Sequence, residues 1–213
     1  MSPDRSYAEH VRSFYEDAVA LHGFTFKGLG YNNEESQRRR FEALVQVGDL
    51  RGARILDVGC GLGDLAAFLR ACGVAVDYTG IDICEHLIQR ATERFAGPGS
   101  DSVRFATADV LAFDSEPFDY VLSSGIFGLW TPGTASRIAP TLEKLLSLAG
   151  RAVAVNFLSL RAPKQAARSL YLEPTELLAQ ALSLTPAVSL RHDYLPNDFT
   201  LYLYREPRWP QLG

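Results

Sequence analysis

Cysteine is scarce in this chain: Cys60, Cys72 and Cys84 are all it has. An odd number without framework spacing argues against a disulfide scaffold and fits a reducing compartment. Cys84 lies two residues from His86, yet no second Cys/His pair accompanies them, so no zinc set and no metal site is expected. Long apolar runs are missing as well. None approaches the roughly 18 residues of a membrane span, and Met1 to Glu16 mixes charges of both signs without an apolar signal core. The expectation is a cytoplasmic protein that does not engage the membrane. A basic excess is also absent: Lys and Arg total 21 against 25 Asp and Glu, for a net charge of −4. Phosphate contacts supply most of a nucleic-acid binder's affinity, so that partner is disfavoured.

What the chain does have is apolar mass. Hydrophobic residues make up 47% of 213 positions, enough for a packed core in one domain. The first fifty residues read as a helical lid. Tyr7, Val11, Phe14, Tyr15, Ala18 and Leu21 recur at helical spacing, three glycines interrupt between Gly23 and Gly30, and Asn33 can cap a second helix from Glu34 to about Val47. The pattern then changes. Short apolar strands at Ala53–Val58, Val74–Ile83, Val103–Thr107, Phe118–Ser123 and Arg151–Leu158 alternate with helices at Asp64–Ala71, Glu85–Phe95 and Ala135–Leu148. Such alternation predicts parallel βαβ units and a doubly wound α/β sheet. After a short helix at Pro174–Leu182, Ala187–Tyr194 and Phe199–Arg205 read as an antiparallel hairpin. Residues 1–213 are expected to form one domain, with a lid over 1–50, a core over 51–160 and a substrate-side segment over 161–213.

The most informative stretch is Ile55-Leu56-Asp57-Val58-Gly59-Cys60-Gly61-Leu62-Gly63, a strand running through glycines into a helix. Glycines there permit a tight turn and let a ligand approach the backbone. A dinucleotide fingerprint, G-x-G-x-x-G, would put its third glycine where Asp64 stands. A carboxylate at that helix start repels pyrophosphate, while Asp57 at the strand end suits a ligand bearing a cation. Twenty-five residues after Asp57, about one strand–helix–strand repeat, the second strand ends at Asp82, which can accept both hydroxyls of a ribose. Asp109-Val110 follows the third strand, and Ser124-Gly125 follows the fourth.

Together these positions, spread over about Ala53 to Leu158, resemble the class I S-adenosylmethionine-dependent methyltransferases. The stretches Tyr31–Phe41 and Leu190–Thr200 look like small bacterial members of unassigned substrate. The resemblance implies a seven-stranded, mostly parallel Rossmann-like sheet that binds S-adenosyl-L-methionine and releases S-adenosyl-L-homocysteine. Asp57, Gly59 and Gly61 would hold the methionine end, Asp82 the ribose, and Asp109 and Val110 the adenine, with Cys60 and Ile83 also binding the cofactor. Ser124 and Gly125 would line the floor near the sulfonium, and Arg40, or Gln37, would meet the donor carboxylate.

Three subclasses are disfavoured by what is missing. The fourth strand is followed by Ser123-Ser124-Gly125-Ile126-Phe127, not the Asn/Asp-Pro-Pro-aromatic signature of nucleic-acid amino methylation. All three cysteines precede the strands where a cytosine-attacking nucleophile would stand. No complete carboxylate set for a metal-dependent catechol enzyme is visible. Transfer to oxygen, nitrogen or sulfur of a small molecule remains, by a monomer or homodimer. The alternatives are a protein or RNA methyltransferase, a non-catalytic binder of the same donor, and a nicotinamide-dependent oxidoreductase. If a general base is used, His192 has the right pKa range and shares a strand face with Tyr194. Arg161, Lys164 and Arg168, with Tyr171, could receive an acidic substrate at the pocket mouth, and Phe127, Trp130 and Tyr171 could wall it.

Overall fold

The computed structural model describes residues 3–97 and 101–207. Eight strands form one sheet: β1 (Arg54–Val58), β2 (Asp77–Asp82), β3 (Val103–Thr107), β4 (Phe118–Ser123), β5 (Ala149–Ser159), β6 (Tyr171–Leu172), β7 (Ala187–Arg191) and β8 (Asp198–Tyr204). The order is β3-β2-β1-β4-β5-β8-β7, with β6 attached in parallel to the end of β5. The pairs β3–β2, β2–β1, β1–β4 and β4–β5 are parallel, and β8 runs antiparallel to both neighbours. The expected seven-stranded path is therefore present, with β6 as an addition too short to show in the sequence pattern.

Helices α1 (Pro3–His22), α2 (Glu34–Leu44), α3 (Asp64–Ala71), α4 (Glu85–Phe95), α5 (Thr134–Leu148) and α6 (Pro174–Leu184) complete the fold. Strand alternation sends Ile55 to one face of the sheet and Leu56 and Val58 to the other. Ile55 joins Leu44, Leu65, Leu69, Tyr78 and Phe95 under α2, α3 and α4. Leu56 and Val58 join Val121, Leu142, Leu145 and Val153 under α5 and α6. A sheet covered on both faces explains why these strands read as unbroken apolar runs.

A third, smaller cluster holds α1. Val11 packs on Leu62, Cys84 and Leu87, with Tyr7, Tyr15 and Leu29 around it. The helix therefore lies across the carboxyl ends of β1 and β2. Strand order reverses between β1 and β4, and in open α/β sheets that is where a crevice forms.

Several strand boundaries differ from the sequence reading, among them β2, which begins at Asp77 and not Val74, and two of them matter for the site. The strand expected over Ala187–Tyr194 ends at Arg191, so His192 and Tyr194 belong to the turn. The partner strand begins at Asp198, a residue expected in the loop. Asp198 is held in strand geometry by a buried ion pair, described next.

Candidate active site

A cavity of about 260 Å³ opens at this crevice, beneath α1. Its floor is the turn after β1. Gly59 and Cys60 both donate their N–H to the Ile81 carbonyl, at 2.8 and 3.0 Å. Gly59 has φ +75°, and a Cβ there would run into Cγ2 of Ile126, so the turn tolerates only glycine. This packing brings the β1 turn against the loop after β4 and closes the floor.

Five carboxylates line the cavity, and they divide into two kinds. Asp64, Asp109 and Asp198 are matched by cations. Arg94 reaches Asp64 at 2.5 Å, and Gln37 donates to the same carboxylate at 2.9 Å. Arg137 grips both oxygens of Asp109 at 2.6 and 2.7 Å and lies over the Tyr7 ring of α1. Arg40 grips Asp198 through Nε at 2.6 Å and Nη2 at 3.1 Å, with its guanidinium over the Tyr31 ring.

Among the described residues Asp57 and Asp82 have no such partner. Asp57 is 2% exposed and accepts a hydrogen bond from the Tyr78 hydroxyl at 2.5 Å. Asp82 is 9% exposed and accepts from the N–H groups of Gly61 and Cys84 at 3.0 and 2.9 Å. Burial pushes the Asp57 carboxyl up to about 7; the Tyr78 hydrogen bond opposes that shift, and the charges of Asp82 and Asp64 add to it. Burial also raises Asp82, against the pull of the Cys84 and Gly61 N–H donors and, more weakly, of the Cys84 thiol and His86. Two buried, uncompensated carboxylates on one wall make a site that a cationic ligand completes.

Proton linkage gives this a measurable form. An Asp whose folded pKa lies near 7 stabilises the protein below its unfolded pKa of about 4, and that stability is lost as pH rises through about 7. A cation bound beside Asp57 favours the ionised carboxylate. Cation binding at pH 7 is therefore expected to release protons, and affinity should rise from pH 6 to 8 and then level off. Tyr78→Phe removes the hydrogen bond that lowers this carboxyl and should move the rise to higher pH. Calorimetry in buffers of different ionisation enthalpy checks both.

The other half of the cavity is more apolar. Ile126, Phe127, Leu129, Phe157, Leu158 and Tyr171 line it with Phe14 of α1. Phe127 stacks on Phe157, and Phe157 on Phe199. Between the halves, Asn156 of β5 organises the loop after β4. Its Oδ1 accepts the Gly125 N–H at 3.1 Å, and its Nδ2 is 3.5 Å from Ser124 Oγ. Ser124 Oγ is also hydrogen-bonded to the Tyr31 hydroxyl at 2.9 Å, which ties the lid to the floor.

Asp57, Gly59, Cys60, Gly61, Asp82, Ile83, Asp109, Val110, Ser124, Gly125 and Arg40 all line this one cavity. Arg40 and Asp109 do so already engaged with charged partners, a feature invisible in the sequence. His192 and Tyr194 are not on its wall. His192 Nε2 meets Ser159 Oγ at 2.8 Å, and its ring lies beside Phe199. The Tyr194 hydroxyl meets Thr200 Oγ1 at 2.9 Å. The strand-face argument for them fails because both stand past the end of β7. Among the described residues no histidine lines the cavity, and the hairpin reaches it through Asn197 and Asp198. Of the basic residues after β5, Arg161 pairs with Glu173, Lys164 lies off the wall and Arg168 lines the cavity. Trp130 is 57% exposed and off the wall.

Sequence reasoning missed Asn156, Asp198, Tyr31 and the two lid tyrosines, Tyr7 and Tyr15. Asn156 did leave a signal, as the one polar side chain within Ala152–Leu158. In the described residues no cluster of metal-ligating side chains occurs, and no helix is long and apolar enough to cross a membrane.

Comparison with known proteins agrees with this geometry. A family model described as a methyltransferase domain matches residues 55–150. The chain is similar to a Mycobacterium tuberculosis protein named "Putative methyltransferase Rv1506c", with 31% identity over 69% of this chain and 90% of that protein. It is 40% identical over 75 residues to the phthiotriol/phenolphthiotriol dimycocerosates methyltransferase of the same species, covering 35% of this chain and 27% of that one. Among solved structures it resembles magnesium protoporphyrin IX methyltransferase from Synechocystis PCC 6803, crystallised with SAM. The TM-score is 0.70 at 18% identity, over 97% of this chain and 98% of that one. At that identity the likeness is one of fold.

Proposed function

Because the chain belongs to the class I S-adenosylmethionine-dependent methyltransferases, we propose that it methylates oxygen, nitrogen or sulfur of a small molecule enclosed in this cavity. The observation that carries the reading is the division of the cavity. One end holds Asp57 and Asp82, buried and without cations; the other is walled by Phe127, Phe157, Leu158 and Tyr171. The donor is a nucleoside bearing an amino acid and a sulfonium, so its cationic groups fit the first end. A dinucleotide's pyrophosphate would face Asp64 at the start of α3, and the fit is poor. The enclosure by α1 favours a small acceptor over protein or RNA.

Bound S-adenosyl-L-methionine supplies an already activated methyl group, and what remains for the protein is placement. In our assignment Asp57 and the N-terminal turn of α3 receive the methionine end. Asp82 accepts the ribose hydroxyls, and its own carboxylate is held still by the Gly61 and Cys84 N–H groups. Asp109 and Val110 flank the adenine. Asn156 fixes Ser124 and Gly125, so the floor between donor and acceptor does not shift. Tyr31 and α1 exclude water from the acceptor end. Holding two reactants in line can supply most of the rate when the leaving group is good.

No base role falls to His192 in this arrangement. With methyl-labelled donor and a screen of phenols, amines and thiols, label should pass to at least one small acceptor. His192→Ala should then keep kcat/KM within about threefold of wild type, since a positioned base contributes ~100-fold or more. Label transfer only to protein or RNA would overturn the acceptor class. A hundredfold loss in His192→Ala would restore the base.

A further inference from the structure

The charges that line the cavity do not cancel evenly. On the cofactor side the uncompensated groups are Asp57 and Asp82. Arg40 is neutralised by Asp198, yet Arg168, beside the acceptor wall, also lines the cavity and forms no ion pair among the described residues. Arg137, the third arginine on the wall, is held by Asp109. Arg168 is thus the one lining arginine whose charge no carboxylate answers.

The residue is exposed, and its backbone is pinned. The Arg168 carbonyl accepts the Trp130 N–H at 2.9 Å, and Leu170 donates to the Gly128 carbonyl at 3.1 Å. Leu129 and Ser169 form a bridge between these two segments. The loop that carries Arg168 is therefore pinned along the loop after β4, which forms the acceptor wall. The guanidinium itself lies over the Phe14 ring of α1, 5.3 Å from its centroid. Stacking on the lid holds the cation at the rim while its in-plane N–H donors remain available, the arrangement that suits bidentate recognition of a planar anion.

We propose that the acceptor is a small aromatic or apolar acid whose carboxylate is received by Arg168, with its body against Phe127, Tyr171 and Phe14 and its methyl-accepting atom toward Ser124 and Asn156. This deepens the methyltransferase reading and rests on it. A neutral acceptor would leave Arg168 unanswered, and a basic one would meet it with like charge. Closing α1 over an acid would bring Phe14 and Arg168 together on the same molecule, so recognition and enclosure would be one event.

The test uses the full chain saturated with S-adenosyl-L-homocysteine, whose binding is titrated first. The probes are hydroxybenzoic and hydroxycinnamic acids, each paired with its primary amide, followed by calorimetry. At least one acid should bind about tenfold more tightly than its amide, and added salt should narrow that ratio. In Arg168→Gln the ratio should fall to about one while affinity for S-adenosyl-L-homocysteine stays within twofold of wild type. Arg168→Lys should restore part of it. Amides that bind as well as acids, a ratio that survives in Arg168→Gln, or no acid binding at all would overturn the proposal. Failure of the first titration would instead strike the methyltransferase reading.

Discussion

Arg40→Met should lower the unfolding free energy by about 3–5 kcal/mol, the usual cost of stranding one partner of a buried ion pair. The side chains of Arg40 and Asp198 are 11% and 1% exposed. Their contact joins α2 to β8 across 158 positions of sequence, so it also holds the lid segment on the hairpin. The effect has a pH signature. Asp198 already sits above the ordinary carboxylate range, because burial outweighs the attraction of Arg40. Without Arg40 its carboxyl moves further up. A raised carboxyl stabilises the fold at low pH and loses that contribution as pH rises. The deficit of Arg40→Met should therefore be small near pH 4 and largest in neutral or alkaline solution. Arg40→Met/Asp198→Leu removes both charges and should recover most of the loss, since well-packed apolar pairs often equal or exceed buried ion pairs. Urea denaturation of the four proteins of this cycle, at two pH values, gives the coupling directly. A single-variant loss below about 1 kcal/mol would mean that the pair is not buried as described.

Asp82→Asn should leave the fold standing and remove donor binding. The carboxylate accepts from Gly61 and Cys84, and in our assignment it also accepts the ribose hydroxyls. Asparagine keeps the shape but offers one acceptor oxygen, and its amide opposes one of these donors. Hydrogen bonds to a charged group contribute about 1.5–3 kcal/mol each, so losing two costs affinity ~100-fold or more. The unliganded protein should suffer less, because neutralising Asp82 also relieves its repulsion with Asp57. Calorimetry with S-adenosyl-L-methionine, beside thermal unfolding of the same variant, separates the two effects. Binding within threefold of wild type would remove Asp82 from the site.

What could be seen in the sequence was local. The strand-turn-helix around Gly59 is contiguous, and the βαβ repeat then carries Asp82, Asp109 and Ser124 to the same edge by topology alone. All eleven residues assigned to the cofactor accordingly line one cavity. The acceptor side was not legible, because it is assembled from distant segments. Nothing near Leu129 in sequence announces Ser169, which bridges to it, and nothing near Phe14 announces Arg168, which lies over its ring. His192 and Tyr194 were misplaced by a boundary: one and three residues past the end of β7, side-chain alternation no longer says which way a ring points. The apolar spacing of α1 revealed a helix, but the same spacing fits a helix buried in a core and one laid over a cavity. Only the packing distinguishes them, and here it sets Tyr7, Phe14 and Tyr15 against the cavity.

The central claim is that a pair of buried, unpaired carboxylates selects a cationic nucleoside amino acid for this crevice. Parallel calorimetric titration with S-adenosyl-L-methionine and with NAD tests it most directly. The account predicts saturable binding of the first, with protons released at pH 7, and no binding of the second. Saturable NAD binding beside a flat response to S-adenosyl-L-methionine would contradict it.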